Sequence, residues 1–121
     1  MNSKLLGSWG EEQAVRYLRK NGYKIVGMNY KNRFGEIDII AENKNVIVFA
    51  EVKTRKSSAF AEAKEFVDYR KISRIVTVAE MWLSENQREL QPRFDVIEVY
   101  APDGTDTVRP EINHIENAFG A

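Results

Sequence analysis

Apolar residues recur along the first half of the chain with two different periods. Over residues 4–20 the spacing is helical, and the pair Asn21-Gly22 that follows is a typical C-terminal stop for a helix. Three shorter segments then alternate or run apolar between compact turns, which is the pattern of strands. These predicted strands cover residues 23–30, 36–41 and 46–53. Because short turns connect them, they are expected to form an antiparallel meander.

The second half of the chain predicts a long helix followed by two strands. Helical spacing extends over residues 60–86, with a break indicated near Asp68. Strands are predicted over 93–100 and, after a turn at 101–104, over 107–112. A helix that connects two strands usually makes those strands parallel. The predicted fold class is therefore α/β, with a mixed central sheet that contains the meander and is flanked by helices.

Length and composition narrow the class of protein. With 121 residues the chain is expected to form a single domain over residues 1–121. The absence of cysteine excludes disulfides and thiolate zinc sites. The longest apolar run, residues 46–50, is too short to cross a bilayer, so no membrane association is expected. The N-terminal sequence lacks an apolar stretch of signal-peptide length, which favours a cytoplasmic location.

Charge is balanced in total but uneven along the sequence. The 18 basic and 18 acidic residues cancel, which argues against a protein that coats nucleic acid indiscriminately. Residues 13–35 nevertheless contain six basic residues and no acid, whereas residues 85–121 contain eight acids and three arginines. This asymmetry is compatible with an oriented face for a polyanion, although ordinary solvated surface charge is the commoner cause of such runs.

The second and third predicted strands carry the most informative polar residues. Alternation places Glu36 and Asp38 on one face of the second strand, and Glu51 and Lys53 on one face of the third. A two-residue hairpin loop at 43–44 would put Glu36 opposite Glu51. Asp38 and Glu51 would then be diagonal neighbours, about 7–8 Å apart at the backbone. In that register the three carboxylates and the lysine share one face of the sheet.

Two explanations of this face remain open from the spacing alone. Strands this apolar are expected to be buried, where like charges repel each other and lose hydration. A bound Mg²⁺ would relieve that conflict, because it takes carboxylate oxygens as ligands, polarises phosphate oxygens and acidifies bound water. The alternative is a solvated sheet edge on which Lys53 simply pairs with Glu51.

A further acidic residue lies on the first predicted helix. Glu11 precedes Ala14, Val15 and Leu18 by three, four and seven residues, so its side chain points toward the packed side of the helix. An inward glutamate is costly unless it meets a cation, water or a polar partner. The alternative is an acid near a helix start, favoured by the helix dipole. Glu12, in contrast, falls on the solvent side.

Polar residues elsewhere in the chain have simpler interpretations. Arg93 and Asp95 share a strand face and are predicted to form a structural pair with each other or with the first helix. The single histidine, His114, has no evident partner in the sequence and is expected to have a structural or solvent role. Basic residues after the third strand could hold phosphates, although for any one of them a solvated or ion-paired side chain is the commoner case. These basic residues are Arg55, Lys56, Lys64, Arg70, Lys71 and Arg74.

Taken in order, these segments resemble a known group of proteins. The pair formed by Asp38 and the later Glu51-Val52-Lys53 resembles the D…ExK core of the PD-(D/E)xK nuclease superfamily. More narrowly, five motifs resemble the YraN-like family of largely uncharacterised bacterial proteins, which is similar to the archaeal Holliday junction resolvases. The motifs are Trp9-Gly10-Glu11 and the segments 35–40, 48–55, 93–96 and 114–119.

The resemblance implies a restriction-endonuclease-like fold and a nuclease that uses Mg²⁺ or Mn²⁺ on DNA, including branched or junction DNA. By matching position it makes Glu11, Asp38 and Glu51 metal ligands and Lys53 the catalytic lysine. Glu36, Arg55 and Lys71 lie in family motifs with less defined roles and are assigned to substrate binding. Paired cuts in a symmetric junction would require a homodimer. The alternative is a module on a nuclease fold that binds nucleic acid or another partner without turnover.

Overall fold

The computed structural model describes residues 3–56 and 68–119, and within them it shows one five-stranded mixed sheet between two helices. The strand order is β1-β2-β3-β4-β5, and only the β3–β4 pair is parallel. This architecture is mixed α/β and consistent with a restriction-endonuclease-like fold. The elements are α1 (Ser3–Lys20), β1 (Lys24–Asn32), β2 (Gly35–Glu42), β3 (Val46–Arg55), α2 (Tyr69–Asn86), β4 (Gln91–Tyr100), a 3-10 turn (Gly104–Asp106) and β5 (Glu111–Phe119).

The two faces of the sheet carry separate apolar clusters. On one face α1 packs through Ala14 and Leu18 against β2, β3 and β4. On the other, α2 packs through Val78 and Trp82, and the Trp82 ring meets the fully buried Phe49 edge-on, with centroids 5.9 Å apart. The helices thus cover opposite faces, as the sequence predicts. Among the described residues no helix is long and apolar enough to cross a membrane.

A glycine lets α1 approach β3 closely. A Cβ atom at the buried Gly10 would overlap the hydroxyl of Thr54 and would lie 3.0 Å from the Thr54 Cβ. The helix can therefore lie nearer to the sheet at this point than any side chain would permit. Glu11 follows directly, so the close contact also sets the position of its carboxylate relative to β2 and β3.

The second helix begins where the sequence indicates a break. Asp68 is its N-cap and accepts hydrogen bonds from the backbone N–H groups of Arg70 and Lys71, at 3.1 and 3.2 Å. The helix ends at Asn86, as predicted. The earlier part of the predicted helix, residues 60–67, lies outside the described residues.

The fifth strand begins later than predicted. The predicted strand over 107–112 is wrong for all but its last two residues, which belong to β5. The chain first forms the 3-10 turn, closed by the Thr107 hydroxyl donating to the Gly104 carbonyl at 2.7 Å. It then pairs with β4 from residue 111 to residue 119, around a bulge opposite 94–96. The bulge breaks the two-residue period of the apolar positions beyond Ile115, so alternation could not reveal the C-terminal part of this strand.

Candidate functional site

The β2–β3 hairpin has a longer loop than the sequence predicts. Glu42 pairs with Ile47, and the side chain of Asn43 accepts hydrogen bonds from the backbone of Asn45 and Val46 at 2.8 and 2.9 Å. The predicted two-residue loop and its register, with Glu36 opposite Glu51, are therefore wrong by two residues. A shift of two keeps every side chain on its original face of the sheet.

The corrected register brings Asp38 next to Glu51. Backbone pairing between β2 and β3 runs from Glu42–Ile47 to Ile39–Ala50, and the next position along each strand is Asp38 and Glu51. There the Oδ2 atom of Asp38 accepts a hydrogen bond from the Val52 N–H at 2.8 Å. A carboxylate therefore links the two strands just beyond their backbone ladder.

The strand β2 is irregular at this point. Ile37 packs in the same cluster as Ile40, on the α2 side, whereas Ile39 packs on the α1 side. Strict alternation would put Ile37 and Ile40 on opposite faces. The departure from strict alternation occurs around Asp38. At this residue the side chain, and not the backbone, makes the hydrogen bond to β3.

The environment of Asp38 disfavours its negative charge. Burial raises the pKa of the Asp38 carboxyl to about 6, against the lowering effect of the hydrogen bond from Val52. The negative charges of Glu11, Glu51 and Glu36 raise this pKa further. Four carboxylates from α1, β2 and β3 therefore lie within electrostatic reach of one another. This group of negative charges attracts cations to the site.

Two lysines already provide positive charge at Glu51. The Nζ atom of Lys53, two residues further along β3, lies 3.1 Å from the Glu51 carboxylate, and Lys71 Nζ from the first turn of α2 also pairs with it. The Glu51 side chain is only 14% exposed. The ion pair between Lys53 and Glu51, which the sequence offers as the alternative to a metal site, is thus present. It does not lie on a solvated edge of the sheet, because Glu51 is largely buried.

A cavity of about 520 Å³ opens beside these residues. Its strand side carries acidic groups, and its helix side carries three basic groups from the first turns of α2 together with the N-cap carboxylate of Asp68. Among the described residues, the charged lining consists of Glu36, Asp38, Glu51, Asp68, Arg70, Lys71 and Arg74. A ligand that bears both a cation and phosphate groups would find complementary charge on the two walls.

Glu11 approaches the site from α1. Burial raises the pKa of its carboxyl, a hydrogen bond with Asn29 lowers it, and the charge of Glu36 raises it. Glu11 does not line the cavity, but its charge acts on Asp38. Asn29 was not singled out by sequence; its positive φ of 50°, a conformation that asparagine tolerates better than most residues, belongs to an irregular stretch of β1.

The remaining predicted substrate residues separate into two places. Glu36 is exposed and lines the cavity together with Lys71. Arg55 instead donates from Nε to the buried Glu98 at 3.2 Å, and Glu98 also accepts from Tyr100 and Asn113. Arg55 therefore belongs to a polar cluster between β3, β4 and β5, outside the cavity lining.

The acidic residues do not form a preassembled metal cage. Within residues 3–56 and 68–119 no group of three or more histidine or acidic side chains is close enough together to hold a metal ion. Glu51 is turned toward its lysines. The donor chemistry nevertheless fits Mg²⁺ or Mn²⁺, since carboxylate oxygens are the ligands these ions take and Mg²⁺ commonly uses only one or two of them.

A second polar cluster lies on the α1 face. Arg93 donates to Asp95 from Nε at 2.9 Å and from Nη2 at 2.8 Å, which confirms the predicted pair. His114 has the structural one of the two roles expected for it, because its Nε2 lies 2.7 Å from Asp95 and its Nδ1 lies 3.0 Å from the Tyr17 hydroxyl, partners that the sequence does not reveal. Sequence could not find these contacts, since they join α1, β4 and β5.

The chain has close relatives along nearly its whole length. The uncharacterised protein family UPF0102 matches residues 10–99. This chain belongs to that family. A UPF0102 protein of Caldanaerobacter subterraneus is 49% identical over 120 residues, covering 98% of each chain. One from Syntrophomonas wolfei is 44% identical over 115 residues (94% of this chain, 96% of the relative), and one from Clostridioides difficile is 43% identical over 120 residues (98% and 100%).

The UPF0102 match encloses the whole candidate site. Glu11 lies near its start, and β2, β3 and the first turn of α2 all fall within residues 10–99. The strand β5, which carries His114, lies beyond it. The matched segment therefore contains every residue that the sequence assigns to catalysis, metal binding or substrate binding.

Proposed function

We propose that this UPF0102 protein is a metal-dependent nuclease that hydrolyses DNA phosphodiester bonds, including those of branched or junction DNA. The observation that carries the proposal is the meeting of Asp38, Glu51 and Lys53 where β2 and β3 part, beside a cavity with a basic wall. Carboxylates next to a lysine, beside a cavity that also carries Arg70, Lys71 and Arg74, suit phosphate-ester hydrolysis.

Asp38 and Glu51 would hold the metal ion, with Glu11 assisting from α1. The raised pKa of Asp38 is consistent with this assignment, because burial and, to a smaller extent, the charges of Glu11, Glu51 and Glu36 disfavour its negative charge, and a bound divalent cation would offset both effects. The chemistry supplied by a bound Mg²⁺ or Mn²⁺ would be polarisation of a phosphate oxygen and acidification of a bound water.

Lys53 is proposed as the catalytic lysine. Its ammonium lies 3.1 Å from Glu51 and its side chain is a quarter exposed, so it could donate a second hydrogen bond to a bound phosphate or water while it remains paired with the carboxylate. From there it would orient the attacking water and stabilise the negative charge that builds on the phosphoryl oxygens as the water oxygen bonds to phosphorus and the ester bond breaks.

The basic residues of α2 would bind the flanking backbone phosphates. Arg70, Lys71 and Arg74 lie on the helix side of the cavity, opposite Glu36, Asp38 and Glu51. With no net charge on the whole chain, affinity for DNA would depend on such local contacts. A second copy of the chain would be needed to cut both strands of a symmetric junction.

Cleavage assays test this proposal. Labelled four-way junction, flap and single-stranded DNA would be incubated with Mg²⁺ or Mn²⁺ and the wild-type, Lys53→Ala or Lys44→Ala protein. Lys44 is an exposed lysine in the β2–β3 turn and provides the matched control. We expect wild type and Lys44→Ala to cut alike and Lys53→Ala to be at least about 100-fold slower, as for loss of a group that acts in the transition state. Absence of cutting on every substrate, or equal cutting by Lys53→Ala, would contradict the proposal.

One observation favours the alternative function, a binding module without turnover. Glu51 already has two lysine partners, so its charge is neutralised within the chain itself. A protein that used this cavity only to bind phosphates would need no metal. Binding of the same DNA substrates without cleavage under any metal condition would support this second function.

A further inference from the structure

Lys71 and Lys53 hold the same carboxylate from different elements. Lys53 lies on β3 itself, two residues from Glu51, whereas Lys71 reaches Glu51 from the first turn of α2 across the cavity. The Lys71 side chain is 47% exposed and that of Lys53 is 25% exposed. Of the two, only Lys71 lines the cavity. Lys71 is therefore the partner that can leave Glu51 without disturbing the sheet.

Electrostatics explains why Lys71 reaches toward the strands. Burial lowers the pKa of Lys71, but its hydrogen bond and charge interaction with Glu51 outweigh this, and the charge of Asp38 adds to them, so that the pKa is raised overall. The ammonium thus responds to the same group of carboxylates that would attract a divalent cation. A second cation at Glu51 and Asp38 would compete with it directly.

We propose that Lys71 is an exchangeable counter-cation of the site. Lys71 pairs with Glu51 in the structure; a divalent cation bound by Glu51 would displace the Lys71 ammonium into the cavity, where it would bind a phosphate of the nucleic-acid backbone. This inference rests on the proposed nuclease function. It makes metal binding and phosphate binding cooperative, since each requires or favours the separation of Lys71 from Glu51.

The geometry supports both positions of the ammonium. Lys71 stands at the N-terminal turn of α2, whose capping by Asp68 fixes the backbone while leaving the four-carbon side chain free to rotate. Arg70 and Arg74 line the same wall and would hold neighbouring phosphates. A released ammonium would join a row of cations that already faces the cavity.

Calorimetric titration with MnCl₂ alone tests the first half of the proposal. The wild type would be compared with Lys71→Met, with Lys71→Gln as a second variant, and with Arg74→Met as a control that removes a cation from the same wall. We expect Mn²⁺ to bind Lys71→Met and Lys71→Gln about three- to tenfold more tightly than wild type, because no ion pair has to be broken. Arg74→Met should change the affinity less than twofold.

Anisotropy of a labelled single-stranded oligonucleotide tests the second half. Ca²⁺, which takes the same oxygen ligands, would be added to favour binding, and gels would verify that the probe stays intact. We expect Ca²⁺ to strengthen DNA binding by wild type and by the control variant Lys44→Ala, which keeps all the proposed metal ligands. The gain should be at least threefold smaller in Lys71→Met, which has no ammonium to release. Without metal, wild type and Lys71→Met should bind DNA alike.

The outcomes separate this inference from the nuclease proposal. Equal Mn²⁺ affinity in wild type and both Lys71 variants, or an equal Ca²⁺ gain in DNA binding, would overturn the role of Lys71 even if Lys53→Ala abolishes cleavage. Absence of Mn²⁺ binding by every protein would overturn both. Far-ultraviolet circular dichroism would verify that each variant is folded, which the exposed position of Lys71 leads us to expect.

Discussion

The Oδ2 atom of Asp38 accepts a hydrogen bond from the backbone N–H of Val52 at 2.8 Å. This contact joins β2 to β3 one position beyond their last backbone pair, Ile39–Ala50. The hydrogen bond holds the Asp38 carboxylate in a largely buried position, although the negative charges of three other acidic residues repel it. The charged form of Asp38 is therefore disfavoured in the fold, and carboxyl groups with a pKa perturbed in this way are frequent at functional sites.

Asp38→Asn should stabilise the metal-free protein at alkaline pH. The pKa of Asp38 in the folded state, about 6, lies above its ordinary value of 3.8, so ionisation disfavours folding above pH 6. Asparagine keeps the acceptor for Val52 and removes the charge. We expect a gain of roughly 1–3 kcal/mol in the free energy of unfolding at pH 8.

The pH dependence of this gain in stability distinguishes the raised pKa of Asp38 from a general effect of removing an acidic residue. The gain from Asp38→Asn should shrink as the pH falls through 6 and vanish near pH 4, where wild-type Asp38 is protonated. Urea denaturation in EDTA at several pH values measures it. Glu12→Gln, which removes an exposed acid of α1, is the control and should be neutral throughout. A gain for Asp38→Asn that does not depend on pH would contradict the electrostatic explanation.

Two glycines of α1 should respond oppositely to alanine. At Gly10 an added Cβ overlaps Thr54, and we expect Gly10→Ala to destabilise the protein by about 1–3 kcal/mol through overpacking. Gly7 has open space around it, so Gly7→Ala should stabilise the helix by about 0.5–1 kcal/mol. Thermal unfolding measures both.

Thr54→Ala provides a test of the contact itself. It removes the hydroxyl nearest to Gly10, so part of the loss caused by Gly10→Ala should be recovered in the double variant. Strictly additive effects of the two substitutions would mean that α1 and β3 do not meet at this point.

Asp95→Asn should be strongly destabilising at neutral pH. Burial alone would raise the pKa of Asp95, but hydrogen bonds from His114, Arg93 and the Asn117 N–H together hold it below its usual range. The stabilisation is thus present above about pH 4 and is lost as Asp95 becomes protonated at lower pH. Replacing Asp95 by asparagine leaves Arg93 without its main charged partner. We expect this substitution to lower the free energy of unfolding by about 3–5 kcal/mol.

Chemical denaturation at pH 7 and pH 3 measures this effect. The loss caused by Asp95→Asn should be large at pH 7 and should decrease as the pH falls below about 4 and Asp95 of the wild type becomes protonated. Glu116→Gln is the matched control, because Glu116 lies 3.6 Å from Arg93 but is 59% exposed, and it should cost less than about 0.5 kcal/mol. Similar losses for the two variants would show that burial of Asp95 does not determine the strength of the pair.

Mg²⁺ should raise the melting temperature of wild type near neutral pH. Ligand that binds only the folded state at 100 times its dissociation constant stabilises it by about 2.7 kcal/mol. The rise should be absent in Asp38→Asn and Glu51→Gln and intact in Glu42→Gln, whose acid pairs with Arg88 at the far end of β2. Differential scanning fluorimetry across a Mg²⁺ series measures it, and an equal rise in all four proteins would indicate binding elsewhere.

The sequence was sufficient to place Asp38 and Glu51 on the same face even though it gave the wrong hairpin loop. Side chains alternate with a period of two, so an error of two residues in register changes the opposite partner and not the face. The same local reasoning failed for β5, where a bulge opposite residues 94–96 interrupts the period. Periodicity thus predicts elements well wherever the backbone stays regular.

The sequence by itself determined the helices, the meander and the parallel crossover, because each follows from local spacing and short connections. Only the tertiary structure decided that Lys71 reaches Glu51 and that His114 lies between Asp95 and Tyr17. These contacts join residues 19 to 97 positions apart. Such distances have no local signature, since they depend on how the helices dock against the sheet.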